Sequence, residues 1–572
     1  MLALGLSVIV GALDGFGLAM FLPLLQMVDG SGTSDPESLG SLRFLVDGMR
    51  DLGIPLTLTS VMLMMLLLFT LKGIAKFIEA WYRVIIQRYF IKKIRFNSID
   101  LLSNYSYKSF VLADVGRIQN TLSGEVGQLI TSYKNYTAAA QAVVMVLVYV
   151  VLAFLANPEF ALFVAIAAVL SNQVYRLLYS KTKDASKKMT KGAHRFQGQL
   201  IQQVAFFKYL KATSLMKPFS RKLKETVSYM ESLGKKMGFY NAILASTKEP
   251  LMLVAVIGVV LIQVTYFSQN LGLIILSLLF FYRSLTFLMT LQTSWNQFLQ
   301  VSGSLENLTE FMEDLRKDQD KTGSKVLENI QTGLELKNVQ FAYTKSPVLR
   351  DITLSIARNE TIAFVGESGS GKTTLVNILA GLIEPDSGQF LIDGCDSRDL
   401  DISSYQKRIG YITQEPVIFS DSIYNNVTFW AERTDENLQR FWNALRSAAI
   451  DDFVRSLDAK EDSLLGNNGI LVSGGQKQRI SIARELFKTI DVLIMDEATS
   501  ALDSETERMI QQNIDDLKGK YTILIVAHRL ATIKNADRIV LLSQGRIENA
   551  GSFEELKQSS KAFSKMVELQ EV

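Results

Sequence analysis

Nothing constrains this chain more than its apolar runs, such as "VMLMMLLLFTL" (61–71) and "AVVMVLVYVVLAFLA" (142–156). A helix needs about 20 mostly apolar residues to cross a hydrocarbon core of about 30 Å. In lipid its backbone must satisfy its own hydrogen bonds. Five or six stretches reach that length, near 2–27, 56–78, 138–156, 159–179, 249–267 and 271–292. They predict an α-helical membrane domain of six transmembrane helices within residues 1–315. The first run has no basic n-region and no small-residue cleavage site, so it reads as a span, not as a cleaved signal. The third and fourth runs meet at "ANPEF", where Asn157 and Pro158 make a turn; the fifth and sixth meet at "FSQN". The intervals 83–137 and 180–245 are long, basic and helix-like. Excess Lys and Arg mark the cytoplasmic side, which puts these intervals inside and the short turns outside. The acidic segment 29–54 then lies outside. Its apolar residues at 39, 42, 45, 46 and 49 have helical spacing, as in a surface helix or a plain loop helix.

The composition, 48% hydrophobic and 20% charged, averages two unlike parts. A net charge of +3 is too small to suggest a nucleic-acid binder. The single cysteine, Cys395, excludes an internal disulfide framework and a cysteine-rich metal site. Residues 316–332, "RKDQDKTGSKVLENIQT", read as a polar linker. From 333 to 572 strand and helix signals interleave, beginning with "LELKNVQFAY", and predict an α/β domain.

Within it, "FVGESGSGKTT" (364–374) follows the strand-like "TIAFV" and opens a helix. This is the P-loop pattern: Gly366, Ser368, Gly369, Ser370 and Gly371 let backbone N–H groups approach phosphate oxygens at a helix N-terminus. Lys372 and Thr374 continue the loop. Lys372 reaches the β and γ phosphates, and Thr373 offers a hydroxyl to Mg²⁺. The plain alternative is a glycine-rich turn. Further on, "DVLIMDEATSALD" (491–503) ends a buried strand in two carboxylates. Asp496 is placed near Mg²⁺ and Glu497 as the group that polarises the attacking water. Alone, these could equally be the N-cap of a helix.

Between the two motifs, "VSGGQ" (472–476) resembles the signature motif of ABC transporters. So do Gln414 in "YITQEP", "SALD" ending in Asp503, and His528 in "IVAHRL". Tyr343 matches the aromatic that stacks on adenine in that family. The resemblance implies an ATP-hydrolysing half-exporter using ATP and Mg²⁺. It also implies a homodimer in which ATP lies between one P-loop and the partner's Ser473, Gly474, Gly475 and Gln476. Glu497 and His528 would be catalytic, and Gln414 would join Thr373 and Asp496 at Mg²⁺. Two positions depart from the pattern: Val472 replaces a leucine, and Asn467 in "LLGNNGILVSGGQ" stands where relatives carry an acid.

Charges at membrane depth need a separate reading. Lys72, Lys76, Glu79 and Arg83 fall within an arc of about 60° on one helix face. A rise of 1.5 Å per residue from Pro55 puts Lys72 about 25 Å in, with the others nearer the cytosol. Asp14, in "VGALDGFGLAM", and Arg283, in "LLFFYRSLTFL", fall about 20 Å and about 18 Å from the outer ends of their spans. Such charges either pair, as Asp14 with Arg283, or line a wet cavity. Lys248 falls near the level of Lys72. A cavity carrying these cations suits an amphipathic anion. The first span, "NTLSGEVGQL" (120–129) and "FYRSL" resemble lipid-linked oligosaccharide flippases of the PglK type. That resemblance implies a polyprenyl-pyrophosphate-linked glycan as cargo. Lipid A, a phospholipid, a drug or a peptide are the alternatives.

Overall fold

The computed structural model describes residues 2–21, 23–24, 44–51, 53–156, 158–247, 249–250, 253–254, 257–258, 261, 271–496, 512, 515–526 and 533–571. They form two compact units, Met1–Tyr105 with Ala113–Asp318, and Ser106–Leu112 with Gln319–Val572.

The helices up to residue 317 are α1 (Leu2–Ala19), α2 (Phe44–Asp51), α3 (Leu58–Ser103), α4 (Tyr107–Leu112), α5 (Val115–Gln119), α6 (Val126–Ala156), α7 (Pro158–Ala205), α8 (Phe207–Ala212), α9 (Met216–Ser246), α10 (Leu271–Gln300) and α11 (Ser302–Lys317). A π-helical turn, Asn120–Glu125, joins α5 to α6. Thr57 caps α3 by accepting the Ser60 N–H. At 46 residues α3 is about 69 Å long, more than twice the thickness of a hydrocarbon core. The helix therefore continues well past its apolar part. Pro158 opens α7, where its missing N–H costs no hydrogen bond. Among the described residues, Leu2–Ala19, Leu58–Ser103 and Val115–Leu155 are long and apolar enough to cross a membrane. Most of the expected span 249–267 lies outside the described residues.

Packing follows the small residues. Gly11 and Gly15 put the backbone of α1 against α6; a Cβ at Gly15 would lie 2.0 Å from Leu152 Cδ1. Leu18, Tyr149, Leu152, Leu276 and Phe280 form the core there. Met49 of α2 is buried with Met20 and Val61, so the helix in the segment 29–54 packs inward. In the polar extensions of these helices, Gly116 meets Gly198 of α7, and a Cβ there would lie 2.7 Å from Gly198 Cα. Ser186 donates to Gln300 O (2.8 Å) and accepts from Gly303 N (3.0 Å), joining α7 to α11. Glu125 is buried, 2.7 Å from both His194 Nε2 and Asn307 Nδ2.

The second unit has two sheets. The strands are β1 (Gly333–Phe341), β2 (Leu349–Ala357), β3 (Thr361–Val365), β4 (Ser387–Ile392), β5 (Cys395–Asp396), β6 (Ile409–Ile412), β7 (Val492–Asp496), β8 (Thr522–Val526), β9 (Arg538–Ser543) and β10 (Arg546–Gly551). The antiparallel sheet runs β2-β1-β4-β5, and the larger one β10-β9-β3-β8-β7-β6, parallel except at β10. Its helices are α12 (Lys372–Leu379), α13 (Ile402–Gln406), α14 (Ile423–Thr428), α15 (Asp435–Ser447), α16 (Asp451–Ser456), α17 (Gly474–Phe487), α18 (Phe553–Ser559) and α19 (Lys561–Glu571). Alternation splits each central strand between two cores: Ile362, Phe364, Ile494 and Leu524 face one, and Ala363, Val365, Leu493 and Ile525 the other. Both faces are covered, which is why these strands read as unbroken apolar runs. Of residues 316–332, read above as a linker, Arg316 and Lys317 end α11 and 319–332 belong to this unit: Gly323 N donates to Leu400 O, and Ile330 is buried.

Candidate functional site

In an open parallel sheet, ligands bind beyond the carboxyl ends of the strands. The P-loop leaves β3 at that edge. β8 lies between β3 and β7, and Val526 pairs with both Phe364 and Asp496. Ile412 pairs with Met495, so the chain leading to Gln414 leaves β6 at the same edge. The fold thus collects the P-loop, Asp496 and Gln414. Glu497, Asp503 and His528 lie outside the described residues.

The loop is shaped for a close anionic guest. Gly366, Gly369 and Gly371 all have positive φ (146°, 81° and 103°), and Gly371 caps α12. A Cβ on Gly366 would lie 2.2 Å from Leu542 O, so no side chain fits there. Ser370 Oγ is buried without a hydrogen-bond partner. Lys372 is buried, and its Nζ donates to Gly366 O (2.8 Å) and Glu367 O (2.9 Å), so the ammonium folds over the loop's own carbonyls. Ser368 and Thr374 are members of the same turn and of the first turn of α12. Thr373 and Gln414 are exposed and Asp496 is half-exposed. Hydroxyl, amide and carboxylate oxygens are hard donors of the kind Mg²⁺ takes. These residues fit both the triphosphate and the metal.

The signature serine opens α17 in a capping box. Ser473 Oγ accepts the Gln476 N–H (3.3 Å), and Gln476 Oε1 accepts the Ser473 N–H (2.8 Å). Ser473 and Gly474 are exposed and Gly475 half-exposed, so the N-terminus of α17 faces outward from its own chain. Asn467 Oδ1 accepts from Ser420 Oγ (2.9 Å), a neutral tie at the position noted above as departing from the motif pattern.

Tyr343 sits edge-on to Phe341, ring centroids 4.9 Å apart. Tyr107 of α4 packs against the same core. Burial first, and then Tyr343, raises the Tyr107 hydroxyl above the ordinary phenol range. Burial likewise pushes Tyr411 well up, with Asp496, Tyr107 and Tyr343 adding to it. Its hydroxyl donates to Asn377 Oδ1 (3.3 Å). No local pattern marks Tyr107 or Tyr411 as part of this neighbourhood. Both sit in stretches that read as ordinary helix and strand.

The membrane-depth charges are arranged differently from the expectation. Asp14 is 2% exposed and pairs with Lys72 Nζ at 2.6 Å, while its other oxygen accepts from the fully buried Tyr149 hydroxyl. It therefore does not pair with Arg283, because α3 brings Lys72 nearer. Glu79 is 1% exposed and holds Arg83 (2.5 Å) and Ser7 Oγ (2.6 Å), and Gln141 bonds both Glu79 and Arg83. Glu79 is thus part of the packing between α1, α3 and α6, not of a solvated face. Ser7–Glu79 and Asp14–Lys72 lie seven residues apart on each antiparallel helix, about 10.5 Å. Lys72 and Arg83, expected to hold an anion, already have carboxylates. Lys76 is exposed and Arg283 half-buried, within electrostatic range of the Tyr149 hydroxyl. Among the described residues the ion pairs at this depth are Asp14–Lys72 and Glu79–Arg83; Arg283 is in neither. Lys248 lies outside the described residues.

The family model "ABC transporter" matches residues 349–500. The ATP-dependent lipid A-core flippase of Syntrophus aciditrophicus (strain SB) is 43% identical over 244 residues, 43% of this chain and 40% of that protein. That of Hahella chejuensis (strain KCTC 2396) is 41% identical over 272 residues, 47% of this chain and 46% of that protein. ABC transporter B family member 1 of Dictyostelium discoideum is 29% identical over 519 residues, 87% of this chain and 55% of that protein. The chain therefore spans about half or less of the length of these relatives. Among solved structures, a bacterial Atm1-family ABC exporter with ATP bound superposes with a TM-score of 0.79 at 22% identity, covering 99% of this chain and 98% of that one. The chain carries an ABC-transporter ATP-binding domain and has the type IV ABC exporter fold.

Proposed function

We propose that this chain hydrolyses ATP to move an amphipathic anionic lipid across the cytoplasmic membrane, as a homodimer with its ATPase domains in the cytosol. Arg283 carries the choice of cargo. It is a half-buried cation on α10 near mid-bilayer depth, in a region where Lys72 and Arg83 are already paired with carboxylates. A charge at that depth normally faces a partner or a cavity, and a guanidinium suits a phosphate. In this reading Arg283 and the exposed Lys76 receive the head group. Asp14, Lys72 and Arg83 set the local charge balance.

At the ATPase end, the P-loop amides and Lys372 hold the triphosphate, and Tyr343 stacks on adenine. The exposed start of α17 supports a composite site: Ser473 and its following amides present a second anion-binding N-terminus to the partner's ATP. Glu497 orients and polarises the attacking water, and His528 holds the terminal phosphate in register. Thr373, Gln414 and Asp496 would hold Mg²⁺, which supplies charge neutralisation at the transferring phosphoryl group.

For the cargo itself, the motif resemblance favours a polyprenyl-pyrophosphate-linked oligosaccharide. A second reading, lipid A with its core sugars, draws on the names of the relatives. Both offer phosphate on a lipid anchor. Flipping in proteoliposomes, comparing a pyrophosphate-linked glycolipid, lipid A and a cationic dye, separates them. Movement of one anionic lipid with rejection of the dye is expected, and Arg283→Ala should reduce the lipid-stimulated increment of ATP hydrolysis. Equal handling of the dye would overturn the anionic-lipid reading.

A further inference from the structure

The segment Ser106–Leu112 is connected at both ends to helices of the membrane unit, yet it packs with the ATPase unit. Its Lys108 reaches the neighbourhood of Tyr343 by two routes. Lys108 Nζ lies 2.9 Å from Asp386 Oδ1, and Asp386 Oδ2 accepts the backbone N–H of Ala342 at 2.8 Å, one residue before Tyr343. The Asp386 N–H also donates to Gln340 O (3.0 Å), which fixes the carboxylate's own backbone. By the second route, the same ammonium sits 4.8 Å from the centroid of Phe341, the ring against which Tyr343 is set edge-on.

We propose that Lys108 is a positioning residue for nucleobase binding. It fixes the backbone and the ring that aim Tyr343, so part of the adenine platform is supplied by a segment more than 200 residues upstream of the P-loop, itself a member of the ATPase unit. Lys108 touches no nucleotide and acts only through Asp386 and Phe341. The ion pair itself is half-exposed and contributes little to overall stability. Its effect falls on the aim of one aromatic ring. The link is reciprocal: a base stacked on Tyr343 favours the seated position of α4, and a displaced α4 weakens the stack.

The inference rests on the reading that Tyr343 stacks on adenine, and the experiment separates the two. Steady-state ATP hydrolysis by the full-length protein in nanodiscs is measured for the parent, Lys108→Ala, Lys108→Arg, Asp386→Asn and Tyr343→Ala. Tripolyphosphate, which has no base, serves as a competing ligand. For Lys108→Ala the KM for ATP should rise about three- to ten-fold. Its kcat should stay within about two-fold and the tripolyphosphate inhibition constant should not move. Lys108→Arg keeps both the ion pair and the cation–π contact, so it should restore the parent KM. Asp386→Asn should reproduce a large part of the loss. If Tyr343→Ala raises the KM and Lys108→Ala does not, the positioning role is wrong and the adenine reading stands. A Lys108→Ala variant that weakens tripolyphosphate as much as ATP also overturns it, because the damage would then be general. An unchanged KM in Tyr343→Ala removes the adenine reading, and this inference with it.

Discussion

Asp14 and Lys72 illustrate what a residue can and cannot reveal about itself. Each is costly in lipid alone; together they leave no net charge. Breaking a buried pair by removing one partner strands the other, at a cost of about 3–5 kcal/mol, while replacing both with well-packed apolar groups can be neutral. Lys72→Met alone should therefore lower the thermal midpoint of the purified protein, and Asp14→Leu with Lys72→Met should recover most of the loss. Recovery absent from the double variant would mean that Lys72 has other work. The constant helical rise put the two charges at similar levels along their helices, which agrees with their pairing. It did not reveal the partner, because the two lie 58 positions apart in the sequence and no local pattern pairs positions that far apart. The ATP loop was legible for the opposite reason: seven of its site residues are consecutive, and adjacency needs no tertiary information.

Elements contribute through where their backbones touch. Gly116→Ala would put a Cβ 2.7 Å from the Gly198 backbone, and Gly303→Ala one 2.7 Å from Ser186 C and O. Backbone cannot rotate away as a side chain can, so each should destabilise by about 1–3 kcal/mol. Gly238→Ala in α9 meets nothing within 4 Å and should stabilise by up to about 1 kcal/mol. Denaturation of the three variants checks both signs. In the ATPase unit, Asp393 joins the β4–β5 turn to the start of β1. Burial raises its pKa, but the N–H groups of Gln331, Thr332 and Gly333 and the Thr332 hydroxyl outweigh that and hold the carboxyl below its usual range. Its contribution is therefore present above the unfolded value of about 3.9 and lost as pH falls through the lower folded value. The stability difference between the parent and Asp393→Ala should be flat from neutral pH to about 5 and shrink below about 4. The α/β character of this unit followed from alternation and apolar runs; the strand order and the division into two cores did not, because pairing between distant strands leaves no local pattern. The attachment of α4 to the ATPase unit was equally hidden, because a six-residue helix inside a long basic interval changes neither polarity nor period.

For the whole molecule, the proposed composite site makes a prediction that one chain cannot satisfy alone. Chains with Lys372→Ala lack a working P-loop, and chains with Ser473→Arg lack a working signature. Each homodimer should be inactive. A one-to-one mixture assembled together should recover about a quarter of parental turnover, since half the dimers are mixed and each has one intact site of two. No recovery would count against sites shared between copies. Glu497→Gln should bind ATP and fail to turn it over, and near-parental hydrolysis would displace Glu497 from its role.

The two polar ties between α1 and α3 have a mechanical corollary. Because Ser7–Glu79 and Asp14–Lys72 repeat after two helical turns on both strands of the hairpin, sliding α1 by a single turn disengages both latches at once. Slid toward the Arg83 end, Asp14 comes level with the exposed Lys76 and Ser7 with Arg83, so the seam has a second detent one turn away. Cysteines bridging α1 and α3 between the two latches hold the first; transport that survives the bridge shows that turnover does not use the second.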